Sequence, residues 1–106
     1  MITHLVLFRF KPGIDRDDRR LAAVLAAMAA LPRQIPEIKG WQHGFNVVTD
    51  ADAWDYALQA SFASEMDLHT YFDHPAHRPV LQQWMAIADL AFADVVNDQQ
   101  IQEDKP

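Results

Sequence analysis

Apolar and polar positions alternate from Ile2 to Phe10, with Ile2, His4, Val6, Phe8 and Phe10 on one face and Thr3, Leu5, Leu7 and Arg9 on the other. Period two predicts a strand. Both faces carry apolar side chains, which a sheet covered on one side only would not need. Lys11-Pro12-Gly13 reads as a turn, and Asp15 is placed to cap a helix with Asp17 and Asp18 in its first turn. Leu21, Val24, Leu25, Met28 and Leu31 then recur at helical spacing, and Pro32 is expected to stop the helix. Its other positions are mostly Ala, a strong helix former suited to an exposed face. The alternative is that these small side chains admit a close neighbour.

Beyond the prolines at 32 and 36, Ile38 to Val48 predicts a second strand, with Trp41, His43, Phe45 and Val47 on one face. Gly40 and Gly44 point to a bulge or a close backbone approach. A polar turn at 49–52 leads to a third strand, Trp54 to Phe62, and the two form a hairpin. Ser64 to Asp67 resembles a capping box that opens a short helix ending near Phe72. His74 precedes a proline and leaves the helical region. Pro79 suits the first turn of a further helix with Val80, Leu81, Trp84, Met85, Ile87 and Ala88 on its apolar face. Leu90 to Val96 is the last strand. Residues 1–97 then make one domain, and 98–106 a polar, frayed tail.

This order predicts an α+β, ferredoxin-like βαββαβ sandwich: a four-stranded antiparallel sheet with both helical layers on one face. Leu5 and Leu7 would be left in water on the other face. A second copy presenting the same face is the simplest cover, so a homodimer closing into an α/β barrel is expected.

Composition narrows the function classes. The chain has 106 residues, half of them hydrophobic, and a formal charge of −6. So few basic residues disfavour a nucleic-acid or anionic-membrane partner. No cysteine is present, which removes disulfides, thiol catalysis and thiolate metal sites. The apolar stretch from Leu21 to Leu31 would rise only about 16 Å as a helix, roughly half a bilayer core. With no signal-peptide pattern at the N-terminus, a soluble cytoplasmic protein is expected.

The candidate chemistry lies in Tyr71-Phe72-Asp73-His74-Pro75-Ala76-His77 together with His4. Imidazole titrates near neutral pH, so such a group can move protons without exotic tuning. His77, close to a helix N-terminus, is the candidate general base, and the Tyr71 phenol can donate to a developing oxyanion. His4, His74 and Trp84 complete the candidate ligand-binding set. The competing reading is a hydrogen-bonded network in which His77 and Tyr71 bond each other or the backbone to fix the turn. His43 and His69 need no role, and Trp41 is core mass or a second pocket wall. His74 and His77 are three apart with Asp73 adjacent, but the proline between them spoils a shared helix face and no third ligand is evident. No metal is therefore assigned. There is no glycine-rich phosphate loop and no Gly-x-Ser-x-Gly elbow, and no cofactor is called for.

Several of these segments carry a resemblance. The start from Met1 to Lys11, Gly44-Phe45-Asn46, Tyr71-x-x-His74-Pro75-x-His77 and Asp94 together resemble the stress-responsive dimeric α/β-barrel (Dabb) domain family, over about residues 2 to 96. The resemblance implies a ferredoxin-like protomer that pairs face to face into a barrel. The family holds plant stress proteins, stable assemblies and uncharacterised bacterial members. It also holds one enzyme type, the plant polyketide cyclase olivetolic acid cyclase, which closes a linear polyketide by an aldol reaction. That enzyme's catalytic Tyr and His correspond to Tyr71 and His77, and its strand-one His to His4. A pocket Tyr on its first helix falls at Ala26, which changes both pocket volume and a polar contact.

The functional expectation is a protein that binds a small hydrophobic or aromatic molecule between sheet and helices, with His77 and Tyr71 available for cofactor-free acid–base chemistry of the cyclase or lyase kind. Two alternatives stand beside it: a non-catalytic, stress-protective homodimer, and a monooxygenase- or isomerase-like dimeric α+β barrel.

Overall fold

The computed structural model describes residues 1–97, so the polar tail expected at 98–106 lies outside the described residues. The elements are β1 (Ile2–Phe10), α1 (Arg19–Gln34), β2 (Gly40–Phe45), β3 (Tyr56–Phe62), α2 (Glu65–Asp73), α3 (His77–Ile87) and β4 (Ala88–Val96). The four strands form one antiparallel sheet in the order β2-β3-β1-β4. This is the ferredoxin-like arrangement the hydrophobic pattern predicts.

Alternation along β1 decides which way the sheet faces. Ile2, Val6 and Phe8 are buried with Tyr56, Leu58, Ala60 and Phe62 of β3, and the helices meet this face through Leu21, Val24, Met28, Leu31, Leu68, Tyr71, Val80, Trp84 and Ile87. The opposite face holds Leu5 and Leu7, at 39% and 46% exposure. Register surrounds them with Ala57, Gln59, Ala91 and Ala93. The exposed stripe of α1 is alanine, at positions 22, 23, 26 and 29, as its helix propensity suggests.

Element ends differ from the sequence pattern, for identifiable reasons. Asp15 caps a preceding turn, accepting from the Asp17 N–H, while Asp18 accepts from the Arg20 N–H and is the true N-cap of α1. Pro32 does not end that helix. It lies inside, because Leu31 and Ile35, both essentially inaccessible, hold the last turn on the core and the Ile35 N–H still reaches the Leu31 carbonyl. β2 is shorter than expected, since Asn46 and Val48 turn away in a side-chain-to-backbone loop. β3 starts at Tyr56 rather than Trp54, and Asp55 ties its own N–H to the Phe8 carbonyl.

Gly40 meets the expected close approach: a Cβ there would lie 2.6 Å from the Ser61 Oγ. Gly44 has no such neighbour, and the β2–β3 register runs without a bulge. Ser64 caps α2 by accepting from the Asp67 N–H. Helix α3 begins at His77, two residues before Pro79, and passes straight into β4 at Ala88, a residue the helical pattern had claimed.

Candidate functional site

A cavity of about 680 Å³ opens between the sheet and α3. Its floor is the inner face of β1 and β4, through His4, Val6, Phe8, Leu90 and Phe92, and its walls are Met28 and Leu31 of α1 with Val80, Trp84 and Met85 of α3. The α2–α3 corner adds Tyr71, Phe72 and His77. The lining is therefore mostly apolar, with a small polar group at this corner and Lys11 and Asp89 at the opposite end, which is the usual make-up of a small-molecule site.

His4 reaches this end because the period-two alternation of β1 points it inward, and it is only 5% exposed. It lies opposite Asp94 in the β1–β4 ladder, and its Nδ1 sits 2.5 Å from the Asp94 carboxylate. That contact fixes the ring and leaves its other nitrogen to the surroundings. The His4 ring meets those of Tyr71 and Phe72 edge-on at 5.7 and 5.4 Å.

Tyr71 comes from the last turn of α2, and its ring centroid lies 4.3 Å from that of His77. Its hydroxyl has no hydrogen-bond partner among the described residues, yet it is not a sealed atom: it belongs to the cavity lining. Burial, reinforced by the Asp94 charge, raises its pKa well above the ordinary phenol value. Tyr71 thus stays an O–H donor near neutral pH, with no acceptor among the described residues.

His77 is held by its Nδ1–H, which donates to the Phe72 carbonyl at 3.3 Å. A carbonyl can only accept, so the proton must reside on Nδ1 and the lone pair on Nε2. Burial lowers the His77 pKa, with the neighbouring His4 and His74 imidazoles acting in the same direction and the Phe72 bond opposing them. A neutral imidazole of fixed tautomer, next to an unoccupied phenol donor, is a base and an acid placed side by side.

Trp84 lines the cavity wall, stacked on Phe8 at 4.0 Å between centroids and donating from Nε1 to the Met28 Sδ. Thus His4, Tyr71, His77 and Trp84 share one space. His74 does not line it. Its Nδ1 accepts from the Ala76 N–H two residues on, so it braces the corner. Trp41 also stands outside the lining, its Nε1 the one sealed side-chain polar atom without a partner among the described residues. His43, to which the pattern gives no role, pairs with the Tyr56 hydroxyl at 2.5 Å. Asp94 and Lys11 border the site with no local signal of chemistry, because their partners are distant in sequence. No group of three His, Cys, Asp or Glu suited to a metal occurs among the described residues.

The sequence profile of the Stress responsive A/B Barrel Domain, Dabb, matches residues 2–97. This chain belongs to the Dabb family. A Streptomyces coelicolor relative of this Dabb chain, an uncharacterised protein, is 34% identical over 94 residues, covering 89% of this chain and 97% of its own. Among solved structures, a dimeric ferredoxin-like protein of unknown function from Thermobifida fusca superposes with a TM-score of 0.79 at 29% identity, over 91% of this chain and 90% of its own. The hydroxynitrile lyase of Passiflora edulis shares the Dabb chain's fold with a TM-score of 0.82 at 18% identity, over 93% and 94% of the two chains. No helix among the described residues is long and apolar enough to cross a membrane.

Proposed function

We propose that this Dabb domain binds a small aromatic carbonyl or hydroxy compound in the cavity between sheet and helices and exchanges protons with it through His77 and Tyr71. The observation that carries the reading is the Tyr71 hydroxyl, a donor that no group among the described residues satisfies and that opens on an apolar space. Buried polar groups in native proteins are nearly always paired, with protein, water or ligand, and a guest that replaces water in this cavity can take the Tyr71 proton donor as its partner.

In the supported mechanism a carbonyl oxygen accepts from Tyr71. Nε2 of His77 takes a proton from the carbon beside the carbonyl, and the released electron pair moves to the oxygen as an enolate held by the phenol. His77 then returns the proton to carbon, or the enolate carbon attacks a second carbonyl, whose π bond breaks as the carbon–carbon bond forms, and the protonated His77 gives its proton to the resulting alkoxide. His4, braced by Asp94, orients the guest from the sheet side. No cofactor enters these steps. The fold accommodates lyase chemistry in one instance, the Passiflora edulis hydroxynitrile lyase.

The pairing of two copies through the Leu5–Leu7 face is part of this proposal, supported by the exposed apolar surface there and by a dimeric neighbour of the same fold. Titration of aromatic aldehydes and ketones against Trp fluorescence tests the reading, since Trp84 walls the cavity. Binding that weakens in Tyr71→Phe, with proton exchange at carbon lost in His77→Ala, is the expected result. Wild-type and variant chains that behave alike would overturn it.

A second reading has its own observation: His74 and His77 both bond backbone groups of the α2–α3 corner. If the imidazoles only brace that corner, His77→Ala lowers the melting temperature and no aromatic carbonyl raises it.

A further inference from the structure

The cavity has a second polar end. Lys11 borders it where α3 runs into β4, and its Nζ donates to the Met85 carbonyl at 2.9 Å. Its backbone N–H donates to the Ile87 carbonyl, so the residue is anchored at that corner by two contacts. An ammonium carries three N–H donors, and only one is used. Among the described residues no carboxylate comes within ion-pair distance of it. Asp89 borders the same end but lies opposite Arg9 in the ladder, on the side of β4 that alternates away from the helices.

Distance along the fold follows from the same residues. His77 and Met85 stand at the two ends of α3, eight residues and about 12 Å of helix apart. β1 runs beneath with His4 at one end and Lys11 just beyond the other. The lining between them is hydrophobic, with Val6, Phe8, Val80, Leu81, Trp84 and Leu90 among its residues. The space is a trough with His77 and Tyr71 at one end and, at the other, an exposed ammonium that gives one N–H to the protein and keeps two for solvent or a guest. The chain as a whole carries a charge of −6, so an anion is drawn here by local placement and not by the protein's overall field.

Resting on the binding reading above, we infer that the guest is an elongated aryl carboxylate whose acid group is held by Lys11 while its carbonyl or hydroxyl end, about 12 Å away, meets Tyr71 and His77. Lys11 selects and orients the guest. It takes no part in the proton transfer.

The test uses 4-(4-formylphenyl)butanoate and its primary amide, equal in shape and different in charge, titrated by Trp fluorescence against the full chain. The carboxylate is expected to bind about five-fold tighter than the amide, a preference set by a partly exposed charge pair and weakened by added salt. Lys11→Met should abolish that preference and leave amide affinity unchanged, and Lys11→Arg should keep it. Equal affinity of the two probes for the wild-type chain would overturn the Lys11 assignment and leave the binding reading intact. Failure of both probes to bind would overturn both. Equal weakening of both probes in Lys11→Met would show a bracing role at the α3–β4 corner and overturn the assignment as well.

Discussion

Asp94 lies directly across the β1–β4 ladder from His4 and holds its Nδ1 at 2.5 Å. The carboxylate also raises the Tyr71 pKa, as the second cause after burial. Replacing Asp94 by Asn removes the charge and keeps the size. The Tyr71 phenol in Asp94→Asn should titrate at lower pH than in the wild-type chain while staying above the ordinary 10.0, because burial persists. Ultraviolet difference titration reads this directly. The variant should also lose about 1 kcal/mol of stability as the charge-assisted bond to His4 weakens.

His77 titrates below its ordinary 6.5 chiefly because it is buried, and His43 shifts the same way for the same reason. As pH falls past 6.5 the unfolded chain takes up protons before the native one does. Stability therefore falls from about pH 6.5 downward until the native imidazoles also protonate, then levels. Urea midpoints between pH 8 and pH 5 check this. His77→Gln should flatten part of the slope, and a slope unchanged in that variant would contradict the assignment.

A Cβ at position 40 would meet the Ser61 Oγ at 2.6 Å and its Cβ at 3.3 Å. The hydroxyl can rotate, the Cβ cannot. Gly40→Ala should therefore cost about 1 kcal/mol. In a Ser61→Gly background, which removes both atoms, the same change should be neutral or stabilising, since Ala is otherwise the better strand residue. Denaturant unfolding of the four variants in a double-mutant cycle measures the coupling.

Leu7 sits in the middle of the apolar outer face, 46% exposed. If a second copy covers that face, Leu7→Lys places two uncompensated charges in the contact. The variant should elute as a monomer by light scattering, with dimer affinity reduced about 100-fold or more. Its secondary structure should remain, because Leu7 makes no part of the helix-side core.

The sheet and its facing were legible from the sequence because period-two alternation in β1 and β3 states which side is buried. The Ser64 cap was legible because its partner lies three residues away. The end of α1 was not. Proline is a local stop signal, and the burial of Leu31 and Ile35 that overrides it is a tertiary fact. The site divides the same way. Tyr71 and His77 stood out because they are close in sequence at a helix break. Asp94 entered only through family resemblance, since its contact with His4 spans a sequence separation of 90. His74 carried the same local signal as His77 and yet turns to the Ala76 N–H, for the proline between them sends the two rings in different directions.

Helix α3 gives way to β4 between Ile87 and Ala88 without a single connecting residue, and the Lys11 N–H clasps that junction through the Ile87 carbonyl. One wall of the chamber and part of its floor are consequently a single bent rod, unable to swing apart at that edge. Any loosening of that wall from the floor therefore has to start away from the junction, toward the α2–α3 corner.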